Sequence, residues 1–494
     1  MIFKTLTFFI LTLFVLSSCN KASVKPISKS PDTTKSNPST PPKDTTTTSL
    51  PTGVGTSFGQ SSSSWIIGMQ SNSQGPIQYT GDYTNKMAVD ASGNIFILSD
   101  FIGVVDLDPS SNVVLGGSTA RNMVTLLKYN ASGSLLWAKP FNTSGMTDGV
   151  KIISDASNNV YCLISSTSVP NLQLGASNYT PHNSASYEII KFSNDGNLIW
   201  VSEVNSQIFD MAIDPLNNVY IVGSTLNDAE FYSAAGENTL NPLSAGGATL
   251  FWAKFSTSGK YAASSDIVPA GYVNPVITTD ANQNVYIIGG TVLYGNYTPA
   301  FPLITGDNVT EGGSFIAKYS AGNSPVWFRG FHGSNSIADM SRLAAVTSDQ
   351  NSNLLIFAAN STSDDLFKMD STGNLQWTQG IANNLNSGYL TMLVNNSGQV
   401  FISGDIIPQL NSAQFPAIFY NKYNSDGSVV YTKSLQGYDI NAYLGLYDAA
   451  IDKNGNIDMV GYFTESVDLL GATGDPRHSS SDLYNSFFIA HFPD

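Results

Sequence analysis

The segment Asp452-Lys453-Asn454-Gly455-Asn456-Ile457-Asp458 sets four oxygen-bearing side chains on alternate positions, the spacing with which a calcium loop begins. It lacks the distal bidentate glutamate, and it aligns with six other stretches that have no such set, so turn chemistry is expected there, with no metal and no cofactor. The histidines His182, His332, His478 and His491 stand too far apart for a local zinc signature. No nucleotide loop and no recognisable Ser, His and Asp set appears, so no catalytic residue is assigned. One stretch suits recognition: Tyr294, Tyr297 and Phe301 are followed by Arg329, His332 and Arg342, and aromatic faces beside cations fit a sugar or an extended peptide.

The composition narrows the partners. Hydrophobic residues make up 42% and charged residues only 12% of 494, with 42 glycines, which excludes a coiled coil and a charge-rich disordered chain. Lys plus Arg number 22 against 37 Asp plus Glu, and the net charge of -15 argues against a nucleic-acid backbone.

Lys4 and the apolar run Leu6 to Leu16 have the form of a signal peptide over 1–18, too short to span a bilayer. Leu16-Ser17-Ser18-Cys19 resembles the lipobox of bacterial lipoproteins. The resemblance implies a lipidated Cys19 that anchors the chain to a membrane, and Asn20 in place of Asp implies the outer membrane, facing the periplasm or the cell surface. Residues 19–55 read as a disordered Ser/Thr/Pro/Lys tether. Asp32-Thr33-Thr34 and Asp44-Thr45-Thr46 within it resemble a short O-glycosylation pattern of Bacteroidetes. The only other cysteine, Cys162, lies in an apolar run and reads as a small buried hydrophobe.

The elements that must position any site repeat seven times. One signal begins at Asp90, Asp155, Asp214, Asp280, Asp349, Asn395 and Asp452, as in DASGNIFILS and DPLNNVYIVG, with offsets of 65, 59, 66, 69, 46 and 57. A second begins at Lys128, Lys191, Lys254, Lys318, Lys368 and Lys422, as in KYNASGSLLW. Each predicts a β-hairpin with Asp accepting from turn amides and Gly or Asn at the positive-φ position. Gln283 and Ser352 are poor there, so those two turns are expected to differ. Each repeat thus has four strands, A to D.

The second strands, such as IFIL and VYIV, are apolar on both faces and need covering from both sides. Four-stranded sheets stacked on copies of themselves seven times predict an all-β, seven-bladed β-propeller of antiparallel blades over 56–494. The seventh repeat ends in SFFIAHFPD without a strand D, and residues 63 to 70, with Trp65 where other repeats carry Trp137, Trp200, Trp327 and Trp377, are expected to complete it and close the ring. These five Trp read as wedges between blades, and Trp252 as core. Tyr431 and the Tyr261 region depart from the Trp pattern.

The motif pair Asp-x-x-Gly-Asn-Val-Tyr-Ile and Lys-Tyr-x-x-x-Gly-x-x-x-Trp resembles the seven-bladed β-propeller repeat family (SBBP repeats) of secreted bacterial proteins, over about 430 residues. The expected function is that of a non-catalytic binding or scaffold module for a protein or glycan partner; the alternative is a propeller polysaccharide lyase or hydrolase, which would need ionisable groups clustered at the channel mouth. Strand A segments such as KMAVD, FDMAID and LYDAAID are expected to supply mainly small apolar residues there. The short connection in FAANSTSDDLFKMD predicts a notch over blade five, beside the aromatic and Arg set.

Overall fold

Runs of β-branched and aromatic residues between Asp-led turns form strands throughout, and every described regular element is β. This computed structural model describes residues 57–58, 65–69 and 85–493, except for connecting segments 102–103, 109–112, 117–122, 143–145, 168–171, 175–176, 184, 234–235, 241–247, 270–274, 292–312, 332–341, 360–363, 382–389, 407–416, 438–443, 464–465, 469–477 and 480–485. The predicted signal peptide, Cys19 and the 19–55 tether lie outside the described residues.

Blade 1 pairs Lys86–Val89, Ile95–Phe101, Met123–Tyr129 and Leu135–Asn142 antiparallel, as strands A to D from the channel outward. Six further blades repeat the order, with strands A beginning at Met146, Gln207, Val276, Arg342, Leu390 and Leu444. The seventh takes its strand D from the other end of the chain: Trp65–Met69 pairs with Ser486–Phe492, Trp65 opposite His491. The protein is a seven-bladed β-propeller with the predicted closure.

Packing explains why strand B is apolar on both faces. Ile95, Phe96, Ile97 and Leu98 have no exposed surface, because alternate side chains enter the clusters on either side of the blade. Seven such clusters occur among the described residues, each drawn from two adjacent blades; one joins Ile97 and Leu127 to Val460, Ile489 and Ile67 across the closure. Each fully buried Ile, Leu or Phe contributes about 1.5–3 kcal/mol, so the core is distributed around the ring instead of gathered at one centre.

The repeated Asp is turn chemistry. Asp90 Oδ1 accepts from the amides of Ser92 and Asn94 at 2.8 and 2.9 Å, and Oδ2 from Asn94 Nδ2 at 2.8 Å. Asp452 does the same with Asn454 and Asn456, and Asp458 pairs with His491 of strand C. Gln283 and Ser352 do not make different turns. They adopt φ of 65° and 63° and close the hairpin onto Asp280 and Asp349 as the others do. The carboxylate and the strand pairing hold the turn, at a cost of about 1–2 kcal/mol for a side chain in that region.

The repeated Lys completes the network. Lys191 Nζ lies 3.3 Å from Asp155 and over the Tyr161 ring, and Lys368 lies 2.8 Å from Asp349. Burial pushes the Asp155 carboxyl up, but hydrogen bonds from Asn159 and the Lys191 charge outweigh it and leave the group below the usual carboxylate range.

The repeated Trp and Gly belong to one clasp. The indole N–H of Trp65, Trp200, Trp327 and Trp377 donates to the carbonyl of Ala131, Thr257, Ser371 and Ser425, each in the C to D turn of the next blade, at 3.0 to 3.2 Å. The turn glycine lies against the ring: a Cβ on Gly259, at φ +76°, would come 2.6 Å from Trp200. Blade 3 carries Tyr261 instead of Trp, and the turn that follows it in blade 4 has Asn323 at φ 65° instead of Gly. Glycine is dispensable where no indole presses on the turn. Trp252 is fully buried, as expected of core.

Several B to C connections do more than span a gap. Leu172–Leu174 of blade 2 adds to strand D of blade 1, Leu174 opposite Phe141. Ala229–Ser233 of blade 3 adds to strand D of blade 2, and Ser466–Asp468 of blade 7 to strand D of blade 6. The repeats therefore overlap, each of these lending a hairpin to its predecessor.

Candidate functional site

The innermost strands surround a central cavity of about 460 Å³. Its wall includes the residue four places before each hairpin Asp or Asn: Lys86, Lys151, Asp210, Val276, Ala345, Thr391 and Asp448, one from each blade in ring order. Four of the seven are ionisable, which corrects the expectation of a small apolar lining. A β-bulge lies immediately before each of Lys151, Asp210, Ala345 and Asp448, where strand A slips against strand B. A bulge re-aims the side chains beside it, a change that strand alternation alone does not foretell. The bulged residues Phe209 and Tyr447 line the cavity as well.

The two aspartates are wired alike. Asp210 Oδ2 accepts the amide of Ile277 in the next blade at 3.0 Å, and Oδ1 lies 3.1 Å from Lys151 Nζ in the preceding one. Asp448 Oδ2 accepts the amide of Met87 in the next blade at 3.0 Å, and Oδ1 accepts from Thr391 Oγ1 in the preceding one at 3.0 Å. Asp210 beside it holds the Lys151 ammonium above its usual range, against the opposing effect of burial and with a further contribution from Asp448. The Lys151 side chain is still 39% exposed to the cavity. Lys86 forms no hydrogen bond or ion pair with any described residue.

A second cluster lies at the outer edge of blade 2. Glu188 and Glu203 face each other across strands C and D with no exposed surface. Glu203 accepts from the amides of His182 and Asn183 and from the Tyr179 hydroxyl at 2.8 to 2.9 Å, and the His182 ring lies flat on Tyr232 at 4.3 Å. Burial pushes Glu188 up to about 7, despite hydrogen bonds from Ser166 and Ser186. The cluster ties the lent hairpin, through Tyr232, to the blade that receives it.

Of the sequence-predicted ligand set, Tyr294, Tyr297, Phe301 and His332 lie outside the described residues. Arg342 opens strand A of blade 5 and pairs with Ala359, where the short connection departs. That connection is 360–363, four residues, shorter than the six read from the sequence. Arg329 sits on strand D of blade 4; its guanidinium donates to the carbonyl of Gly373 in the next blade's turn and lies over Phe331 at 5.5 Å. It therefore secures the seam between blades 4 and 5. Among the described residues no group of three or more His, Cys, Asp or Glu is arranged to hold a metal ion.

No family model matches the chain. It is 25% identical over 232 residues to an uncharacterized WD repeat-containing protein of Acanthamoeba polyphaga mimivirus, covering 40% of this chain and 16% of that relative. The chain thus matches only a small part of the relative's length. Among solved structures, virginiamycin B lyase from Staphylococcus aureus aligns with a TM-score of 0.40 and 9% identity, covering 85% of this chain and 98% of the lyase. The β-propeller domain of the Trilobed protease from Pyrococcus furiosus gives 0.42 and 9%, covering 82% and 98%. A Bacteroides caccae protein of unknown function gives 0.32 and 9%, covering 63% and 89%. Likeness at this level says nothing about activity.

Proposed function

We propose that the chain is a non-catalytic binding protein of a bacterial envelope, held at the outer membrane through lipid on Cys19, which takes part of a protein or glycan partner into its central channel. One observation carries this reading. The hairpin Asp recurs in six blades, the strand C Lys in six and the strand D Trp in five, whereas the channel position holds Lys, Lys, Asp, Val, Ala, Thr and Asp. A place lined by strand A of every blade, yet chemically different around the ring, suits recognition of an asymmetric ligand. Its volume falls within the range of about 300–1,000 Å³ typical of small-ligand sites.

Ala345→Trp on the uncharged side tests it by filling the channel without touching the hairpin network. Wild type should retain ligands from a glycan and peptide array that the variant, equally folded by circular dichroism, does not. Equal retention would move the site away from the channel. The four ionisable groups also support a second reading, a polysaccharide lyase or hydrolase. Release of new reducing ends or unsaturated sugars from an acidic polysaccharide would replace the binding role with turnover.

A further inference from the structure

We propose that Lys86 and Lys151 together receive one carboxylate of the ligand, whose remaining body is uncharged; this rests on the channel being the binding site. Around the ring the charged residues run Asp448, Lys86, Lys151, Asp210 on four consecutive blades, and the other three positions hold Val276, Ala345 and Thr391.

Lys151 has Asp210 ahead of it at 3.1 Å. Lys86 has Lys151 ahead of it and Asp448 behind, and the Asp448 oxygens already accept from Met87, Thr391 and Ala449. Lys86 is thus the one member of the four without a hydrogen bond or ion pair among the described residues. Two lysines at the same repeat position of adjacent blades line the cavity, one without a partner among the described residues and one still 39% exposed, and an anion that reached both would be held by two cations. The aspartates at both ends of the run set the charge of that anion: a carboxylate brings one negative charge, whereas a phosphate dianion would add a second beside Asp210 and Asp448. Across the channel, Val276 and Ala345 offer no partner for a further charge, so the body that follows the carboxylate is neutral. An acidic sugar at the end of a chain has this chemistry, as does a peptide C-terminus with small neutral side chains. The acid is common to both.

Titration calorimetry of the full chain with paired probes tests the assignment: glucuronate against glucuronamide, N-acetylglycylglycine against its amide, and inorganic phosphate. At least one acid should bind ten-fold or more tightly than its amide and than phosphate. Lys86→Met should bring that acid down to its amide, while Lys260→Met, an exposed lysine remote from the channel, leaves it unchanged. Acid and amide binding equally, an acid indifferent to Lys86→Met, phosphate binding as tightly as the best acid, or no acid binding at all would each overturn the carboxylate assignment. If array ligands are still lost in Ala345→Trp, the channel reading survives that failure.

Discussion

His491 lies flat against Trp65, ring planes 10° apart and centroids 5.6 Å apart, so the last strand and the first are joined face to face. Where other blades place a Lys over a Tyr or Phe, this blade places His491 beside Asp458 at 2.8 Å. Burial pushes Asp458 up to about 6, against the opposing His491 contact, and the hydrogen bond to Asp458 draws His491 above its usual value.

The sign follows from both groups binding protons more tightly when folded. Stability tied to Asp458 is complete below about pH 4 and is lost as pH rises through about 6; that tied to His491 is complete below about 6.5 and lost above it. The melting temperature should fall between pH 5 and pH 8. Glu188 and Asp405, each pushed up to about 7 by burial, add slope of the same sign. The double variant His491→Lys, Asp458→Tyr, which restores the arrangement of the other blades, should flatten the profile in part. An unchanged profile would show that the closing blade does not carry it.

The clasp separates two glycines that share a positive φ. Gly259→Ala meets Trp200 at 2.6 Å and should cost about 2–4 kcal/mol, combining backbone strain with overpacking. Gly236→Ala, at φ +103° with nothing within 4 Å, should cost only about 1–2 kcal/mol. Urea denaturation measures both, and equal losses would mean that the indole contact contributes nothing.

Closure makes the N-terminal strand indispensable. Removing residues 63–70 strips Trp65, Ile66 and Ile67, all buried, from two inter-blade clusters and should prevent cooperative melting or lower its midpoint sharply. Removing 56–62 takes, among the described residues, the two-residue pairing of Ser57 and Phe58 and should be tolerated. Differential scanning calorimetry of the two deletions distinguishes the outcomes.

Burial alone pushes the Cys162 thiol far above its usual range, and the residue has no exposed surface. If Cys19 carries lipid, the native protein should present no thiol to a maleimide, and one should appear on unfolding. A thiol that reacts in the native state and disappears with Cys19→Ala would refute the lipid anchor.

The blades, the closure and the place of the Trp between blades were legible because their signals recur in register around the ring, whereas the pairing of each Trp with a turn of the next blade was not. The charged channel was harder to foresee, although Lys86, Lys151, Asp210 and Asp448 stand in plain view in the strand A segments. Whether a strand residue faces the channel depends on a one-residue slip, and the bulges before Lys151, Asp210, Ala345 and Asp448 leave no mark in composition. The lent hairpins were missed for a related reason: Leu174 opposite Phe141 is a pairing between blades, and nothing in the sequence of a connection names the edge it will reach. Arg329 was placed by its neighbours in sequence, whereas its partner, Gly373, lies in the next blade.

The lent hairpins also set an order on completion as the chain is made. Blade 1 has all four of its strands by Asn142, yet its outer edge stays open until Leu172–Leu174 has emerged, and blade 2 waits likewise for Ala229–Ser233. Maturation trails synthesis by about half a repeat, while Trp65–Met69, which precedes all seven repeats, lacks its blade 7 partner until Ser486–Phe492 has emerged. Blade 4 is spared its wait on blade 5, because the four residues after Ala359 are too few to lend a strand.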